Sequence, residues 1–141
     1  MNFKKRKIVI ATGGTGGHVF PAYSLAKYFV DNKNTVEIIT DKRGFKYLEK
    51  YQDLNITINN SATIFKKNFL KKIFSSVIIF FSFLRSLVFL YKIKPKLVFG
   101  MGGYSSFPIC LASKVLNIPF IIYENNLIMG KANKYLLPIA Y

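Results

Sequence analysis

The run Lys7-Ile8-Val9-Ile10-Ala11-Thr12, followed at once by Gly13-Gly14-Thr15-Gly16-Gly17-His18, decides the fold. A short apolar, β-rich stretch that stops at glycines reads as a strand buried on both faces. Working outward, Pro21 to Val30 (PAYSLAKYFV) places Leu25, Tyr28 and Phe29 on one side at helical spacing, and Asp31-Asn32-Lys33-Asn34 breaks it. Thr35 to Thr40 (TVEIIT) is a second strand, Phe45 to Tyr51 a short helix and Ile56 to Ile58 a weaker third strand. After a long segment from about Asn68 to Ile93, Lys96 to Phe99 is a fourth strand that again ends in glycine. Phe107 to Leu116 is a helix, Pro119 to Tyr123 a fifth strand, and another helix begins from Gly130. Strands alternate with helices, and each strand is a continuous apolar run, as expected when both faces are covered. The pattern predicts an α/β fold: a Rossmann-like open parallel sheet with helices on both faces and right-handed crossovers.

A chain of 141 residues, 51% hydrophobic, is expected to form one domain with its own core. One cysteine, Cys110, excludes an intramolecular disulfide framework, and with His18 as the only histidine there is no cluster for structural zinc. Twenty-one Lys+Arg against six Asp+Glu give +15, which points to an anionic partner. Eighteen of those cations are lysines; the arginines are Arg6, Arg43 and Arg85. Nucleic-acid readers lean on arginine for bidentate base contacts, so no nucleic-acid partner is expected. Joint richness in Lys, Asn and Ile, as AT-rich coding produces, accounts for part of the excess. The apolar run after the basic start, Ile8 to Ala11, is too short for a secretory signal, so a cytoplasmic location is expected.

The segment Ile73 to Tyr91 (IFSSVIIFFSFLRSLVFLY) approaches the ~20 residues that span a bilayer. Arg85 lies well inside it, where a charge costs at least ~2.5–3.5 kcal/mol. At helical spacing Lys71, Ser75, Ser82, Arg85 and Ser86 share one stripe, and Lys66, Lys67, Lys71 and Lys72 stand just before the apolar run. The preferred reading is a helix of the sheet fold whose excess apolar surface meets an anionic membrane interface. A plain core helix and a true span are the alternatives.

Three polar turns carry the candidate chemistry. Gly13 to His18 links a strand to a helix; its glycines permit a tight turn and close approach of a ligand. Amides at the helix start favour an anion, and a diphosphate is the natural tenant. The turn is neither G-x-G-x-x-G nor G-x-x-x-x-G-K-[ST], and a tight crossover without a ligand is the alternative. His18, at its end, suits a general base or a hydrogen-bond donor, or else it orients the turn. Gly100-Met101-Gly102-Gly103-Tyr104-Ser105-Ser106 repeats the arrangement after the fourth strand, and Tyr123-Glu124-Asn125-Asn126 follows the fifth. In an open parallel sheet all three fall on the carboxyl edge, where ligands bind.

These residues resemble a known family. Gly13 to Ala22 (GGTGGHVFPA) resembles the first glycine turn of the MurG family, and Gly100 to Tyr104 (GMGGY) its second. These are membrane-associated transferases that add N-acetylglucosamine to the lipid-linked muramyl-pentapeptide precursor of peptidoglycan. Glu124 and Asn126 match the acid and the final asparagine of the family's H-E-Q-N motif, whereas Tyr123 and Asn125 replace its His and Gln. The match runs through nearly the whole chain, in order and with matching spacing. The resemblance implies the N-terminal half of a GT-B glycosyltransferase. Residues 1–141 would be the acceptor- and membrane-facing Rossmann-like domain, with the C-terminal donor-binding domain absent from this chain. It implies inverting transfer of GlcNAc from UDP-GlcNAc to lipid I (undecaprenyl-pyrophosphoryl-MurNAc-pentapeptide), giving lipid II. The place of action would be the cytoplasmic face of the bacterial inner membrane, peripherally bound, with no metal or other cofactor. Thr15, Gly16, Gly17 and Asn126 would touch the donor. Gly102, Gly103 and Tyr104 would help to hold the acceptor, Glu124 is a further binding candidate, and His18 is the candidate base or acceptor contact. An isolated fragment is expected to be inactive. The alternative is the non-catalytic, membrane-anchoring half of a split, two-chain glycosyltransferase.

Overall fold

The computed structural model of the chain describes residues 6–51, 53–59 and 69–140, the side chains of 69–72 excepted. Five strands, β1 (Lys7–Ala11), β2 (Thr35–Thr40), β3 (Asn55–Ile58), β4 (Leu97–Gly100) and β5 (Phe120–Ile122), form one parallel sheet in the order β3-β2-β1-β4-β5. The helices are α1 (Gly16–Asp31), α2 (Lys42–Leu48), α3 (Phe69–Ile93), α4 (Ser106–Val115) and α5 (Lys131–Leu136), with a final 3-10 turn at Leu137–Ile139. Lys66 and Lys67, and the side chains of Lys71 and Lys72, lie outside the described residues.

The two-residue period of the strands sorts the core into two layers. Val9, Ala11, Ile39, Val98 and Phe120 pack against Leu90 of α3, Ile109, Cys110 and Ala112 of α4, and Leu136 of α5. Ile8, Ile10, Val36 and Ile38 point the other way, onto Val19, Ala22 and Ala26 of α1 and Leu48 of α2. Full burial of one such side chain contributes ~1.5–3 kcal/mol. Helices therefore cover both faces, and the sheet is the predicted open, doubly wound one. The strand order runs outward from β1 in both directions, so the crevice at the carboxyl edge opens between β1 and β4.

Two helices begin earlier than the sequence pattern predicts. Helix α1 starts at Gly16 rather than Pro21, because the glycines of the turn already adopt its first turn. Helix α2 starts at Lys42 rather than Phe45, because the Asp41 side chain caps it by accepting from the Gly44 amide at 2.8 Å. Helix α3 has an inverted dressing. Ser75, Ser82 and Ser86 are buried at 1%, 2% and 0% exposure, whereas Phe74, Phe80, Phe81 and Tyr91 stand 69%, 56%, 55% and 68% exposed. The polar stripe read from spacing therefore divides: its serines turn inward while Arg85 faces solvent. Inside, Asn59 after β3 donates to the Ser86 hydroxyl at 3.0 Å, and Ser86 donates to the Ser82 carbonyl at 2.8 Å. By length and composition Ile73–Ile93 is long and apolar enough to cross a membrane, but its serine side and Leu90 are packed into this domain.

At Gly100 β4 runs close to α4: a Cβ there would sit 2.6 Å from the Cys110 sulfur. Cys110 is fully buried, and burial pushes its thiol up to about 12. Native protein at pH 8 is therefore expected to resist iodoacetamide, with full alkylation of Cys110 only after unfolding in urea, as read by mass spectrometry.

Candidate functional site

The turn after β1 is held in shape by a carboxylate. Gly14 takes φ +83°, a conformation that glycine adopts without penalty. Its amide donates to Asp41 Oδ1 at 3.1 Å, and the same oxygen accepts from Gly44. Burial alone would raise the Asp41 carboxyl. The Gly44 and Gly14 amides, with Ser105 and Arg43, outweigh it and hold the group below its ordinary value. Asp41 thus ties the ends of β1 and β2, and through Ser105 the turn after β4, into one rim.

The turns after β1 and β4 touch directly. Gly102 and Gly103 take φ +89° and +78°. A Cβ at Gly102 would lie 2.8 Å from His18 Nδ1, and one at Gly103 would lie 3.0 Å from the Gly13 carbonyl oxygen. The His18 ring therefore lies on bare backbone; its Nδ1 is buried, without a hydrogen-bond partner among the described residues.

The turn after β5 joins through a proline. Pro21 lies inside α1 and has no N–H to return to the Gly17 carbonyl. That carbonyl instead accepts from Asn125 Nδ2 at 2.8 Å, across 108 residues of chain. Glu124 then organises the rest of the turn. Its Oε1 accepts from the Asn126 amide (3.1 Å) and Asn126 Nδ2 (2.6 Å); its Oε2 accepts from the Gly130 amide (2.8 Å) and Asn133 Nδ2 (3.1 Å). Desolvation opposes ionisation of Glu124, but these donors prevail and its pKa is lowered. Asn133, buried in α5, also donates to the Tyr123 carbonyl at 2.9 Å. The tip so braced, Leu127-Ile128, stands in solvent.

The three turns enclose a hollow of about 150 Å³ lined by His18, Gly103, Tyr104, Glu124, Asn126 and Lys131, among others. Thr15, Gly16, Gly17 and Gly102 do not line it. Gly102 backs the His18 ring, and Thr15 to Gly17 form the adjoining start of α1. There Thr15 makes no side-chain cap, no acid lies in the first turn, and the Gly16 and Gly17 amides have no acceptor among the described residues. That end of the helix is open to an anion. Among the described residues no group of His, Cys, Asp and Glu is arranged to hold a metal ion.

The sequence reading assigns no site role to Asp41, Arg43 or Asn133, and it includes Ser105 only as part of the turn after β4. Asp41 carried a usable signal, an acid three residues before a glycine at a strand end. Asn133 carried none, since its burial follows from where α5 packs.

A parallel sheet in this order, with glycine turns meeting at its carboxyl edge, is a Rossmann-like arrangement, and it matches the N-terminal half of GT-B glycosyltransferases. Residues 8–141 match the glycosyltransferase family 28 N-terminal domain, and the chain belongs to that family. Within it the chain is MurG-like. It is 40% identical over 128 residues to the UDP-N-acetylglucosamine–N-acetylmuramyl-(pentapeptide) pyrophosphoryl-undecaprenol N-acetylglucosamine transferase of Wolbachia sp. subsp. Brugia malayi, covering 91% of this chain and 35% of that protein. It is 38% identical to the Pelagibacter ubique protein of the same name, covering 94% and 36%. The chain thus spans a little over a third of the length of these curated relatives. The crystal structure of Acinetobacter baumannii MurG superposes with a TM-score of 0.81 at 29% identity, over 97% of this chain and 40% of that one.

The rim depends on Asp41, so Asp41→Ala is expected to cost ~0.5–2 kcal/mol, the range for a lost helix cap. Because the folded pKa of Asp41 lies below its unfolded value of ~3.9, the contribution is complete above that value. It is lost as pH falls through the folded pKa. Urea denaturation of both proteins at pH 7 and at pH 2.5 should show the gap closing in acid.

Proposed function

We propose that this chain is the acceptor-binding, membrane-facing half of an inverting transferase that carries GlcNAc from UDP-GlcNAc to the C4 hydroxyl of lipid I, giving lipid II for peptidoglycan. The observation that supports this best is the meeting of the three turns around the open amide end of α1. The amides of Gly16 and Gly17 offer fixed donors to a pyrophosphoryl group, and the helix dipole adds to them. In this reading Thr15, Gly16, Gly17 and Asn126 contact the donor. Gly102, Gly103 and Tyr104 hold the acceptor's diphosphate or sugar. The rest of the donor site belongs to a C-terminal domain, for which the greater length of the relatives leaves room.

The acceptor oxygen attacks the anomeric carbon as the bond from that carbon to the β-phosphate oxygen breaks, and UDP leaves with the electron pair. The hydroxyl proton passes to His18. With Nδ1 sealed against Gly102, the nitrogen available for this is Nε2. Glu124 is poorly suited to take the proton, since four donors stabilise its carboxylate. Its role is to shape the turn that presents Asn126.

The outward face of α3 supplies the membrane contact, at the cytoplasmic surface of the inner membrane. Phe74, Phe80, Phe81 and Tyr91 are already more than half exposed, so their entry into an interface requires little repacking. Each lysine near an anionic surface adds ~1 kcal/mol.

Fused ahead of the remainder of the Wolbachia relative, this chain is expected to transfer GlcNAc to lipid I. His18→Ala in that fusion should lower turnover by about 100-fold or more, as loss of a general base does. The 141-residue chain alone should give none; turnover by it would show that the donor site has been misplaced. Separately, the chain should pellet with anionic vesicles, and Phe80→Ser/Phe81→Ser should abolish pelleting with an unchanged melting temperature. Unchanged pelleting would remove α3 from the membrane contact.

A further inference from the structure

We propose that Arg43 is a ligand for the diphosphate bound at the open end of α1, its guanidinium closing on the phosphoryl oxygens from the β2 side of the glycine turn. This rests on the reading of that turn as a pyrophosphoryl site, and it adds a charged side chain to a site otherwise made of amides.

Position comes first. Arg43 follows the Asp41 cap by two residues, so its side chain leaves α2 where α2 meets the turn. Its Nη2 would lie 3.7 Å from a Cβ placed on Gly14. The bare backbone of Gly14 thus lets the guanidinium rest against the turn that leads into Gly16 and Gly17.

Availability comes second. Among the described residues Arg43 makes one hydrogen-bonded ion pair, Nη2 to Asp41 Oδ2 at 3.2 Å, and its side chain is 65% exposed. A guanidinium has five N–H donors, so most remain for a ligand. Asp41 keeps the Gly14 and Gly44 amides on its other carboxylate oxygen, so Arg43 is one of several groups that hold it. The contact orients the arginine without consuming it.

Charge comes third. The Asp41 carboxylate accepts from the Gly14 amide, so it stands beside the place assigned to the anion and would repel it. The exposed guanidinium on its outer oxygen offsets that repulsion. The planar fork also matches phosphoryl oxygens two at a time, which a lysine cannot do. In a chain with eighteen lysines and three arginines, this corner of the rim carries one of the three.

The test is a titration of the ¹⁵N-labelled chain with inorganic pyrophosphate at fixed ionic strength, following the Gly16 and Gly17 amides. Arg43→Ala is expected to weaken binding about tenfold or more, and Arg43→Lys to fall in between. Lys46→Ala, which removes the same charge from another exposed position of α2, should change it less than twofold. If Arg43→Ala binds as tightly as wild type while both amides still shift, the assignment of Arg43 is wrong and the site stands. If pyrophosphate shifts neither amide in wild type, the site reading fails and Arg43 falls with it. A parallel comparison of UDP with farnesyl pyrophosphate names the source of the diphosphate. The larger loss on Arg43→Ala for the isoprenyl compound assigns Arg43 to the acceptor, and for the nucleotide to the donor.

Discussion

Pro21 has no N–H, so the Gly17 carbonyl one turn earlier in α1 lacks its usual partner, and Asn125 supplies one from the turn after β5. The rest of the site depends on that bond. It fixes the turn after β5 against the first residues of α1, and so fixes where Glu124 and Asn126 stand relative to His18. A proline inside a helix is ordinarily a defect. Here the vacancy is filled by the one segment that has to be brought in.

Two of the chain's six acids serve the same kind of purpose. Asp41 gathers one amide from the turn after β1 and one from α2, and Glu124 gathers four donors from the turn after β5 and from α5. Both remain ionised because those donors outweigh burial. Their shared effect is rigidity: the glycines gain their reach from having no side chain, and that freedom would otherwise cost ordering entropy on binding. Carboxylates anchored at the turn ends remove much of that cost before a ligand arrives.

Much of this was legible in the sequence because it rests on strong local signals. The strands are short β-rich runs, almost wholly apolar in β1, β4 and β5, ended by glycine or a polar turn, and their alternation with helices leaves few topologies. The turns after β1, β4 and β5 could be placed on one edge for the same reason. What was hidden depends on contacts distant in sequence. Helix α1 was read as starting at Pro21, since glycines have poor helix propensity and proline is common at a first helical position. The Asn125 to Gly17 bond, which uses that proline differently, joins residues 108 positions apart. In α3 the spacing identified a polar stripe but not its direction. The serines face inward because small side chains let the helix lie close to its neighbours, and the Ser86 hydroxyl finds partners there in Asn59 and the Ser82 carbonyl.

That inversion also governs how the molecule behaves in water without lipid. The outer side of α3 presents a row of aromatic rings that would meet favourably with the same row on another copy. A net charge of +15 keeps the copies apart. Charge repulsion between exposed groups is screened within about 10 Å at 0.1 M salt, whereas attraction between apolar surfaces is not. Added salt should thus clump this protein rather than disperse it, and its usable concentration is set by ionic strength more than by fold stability.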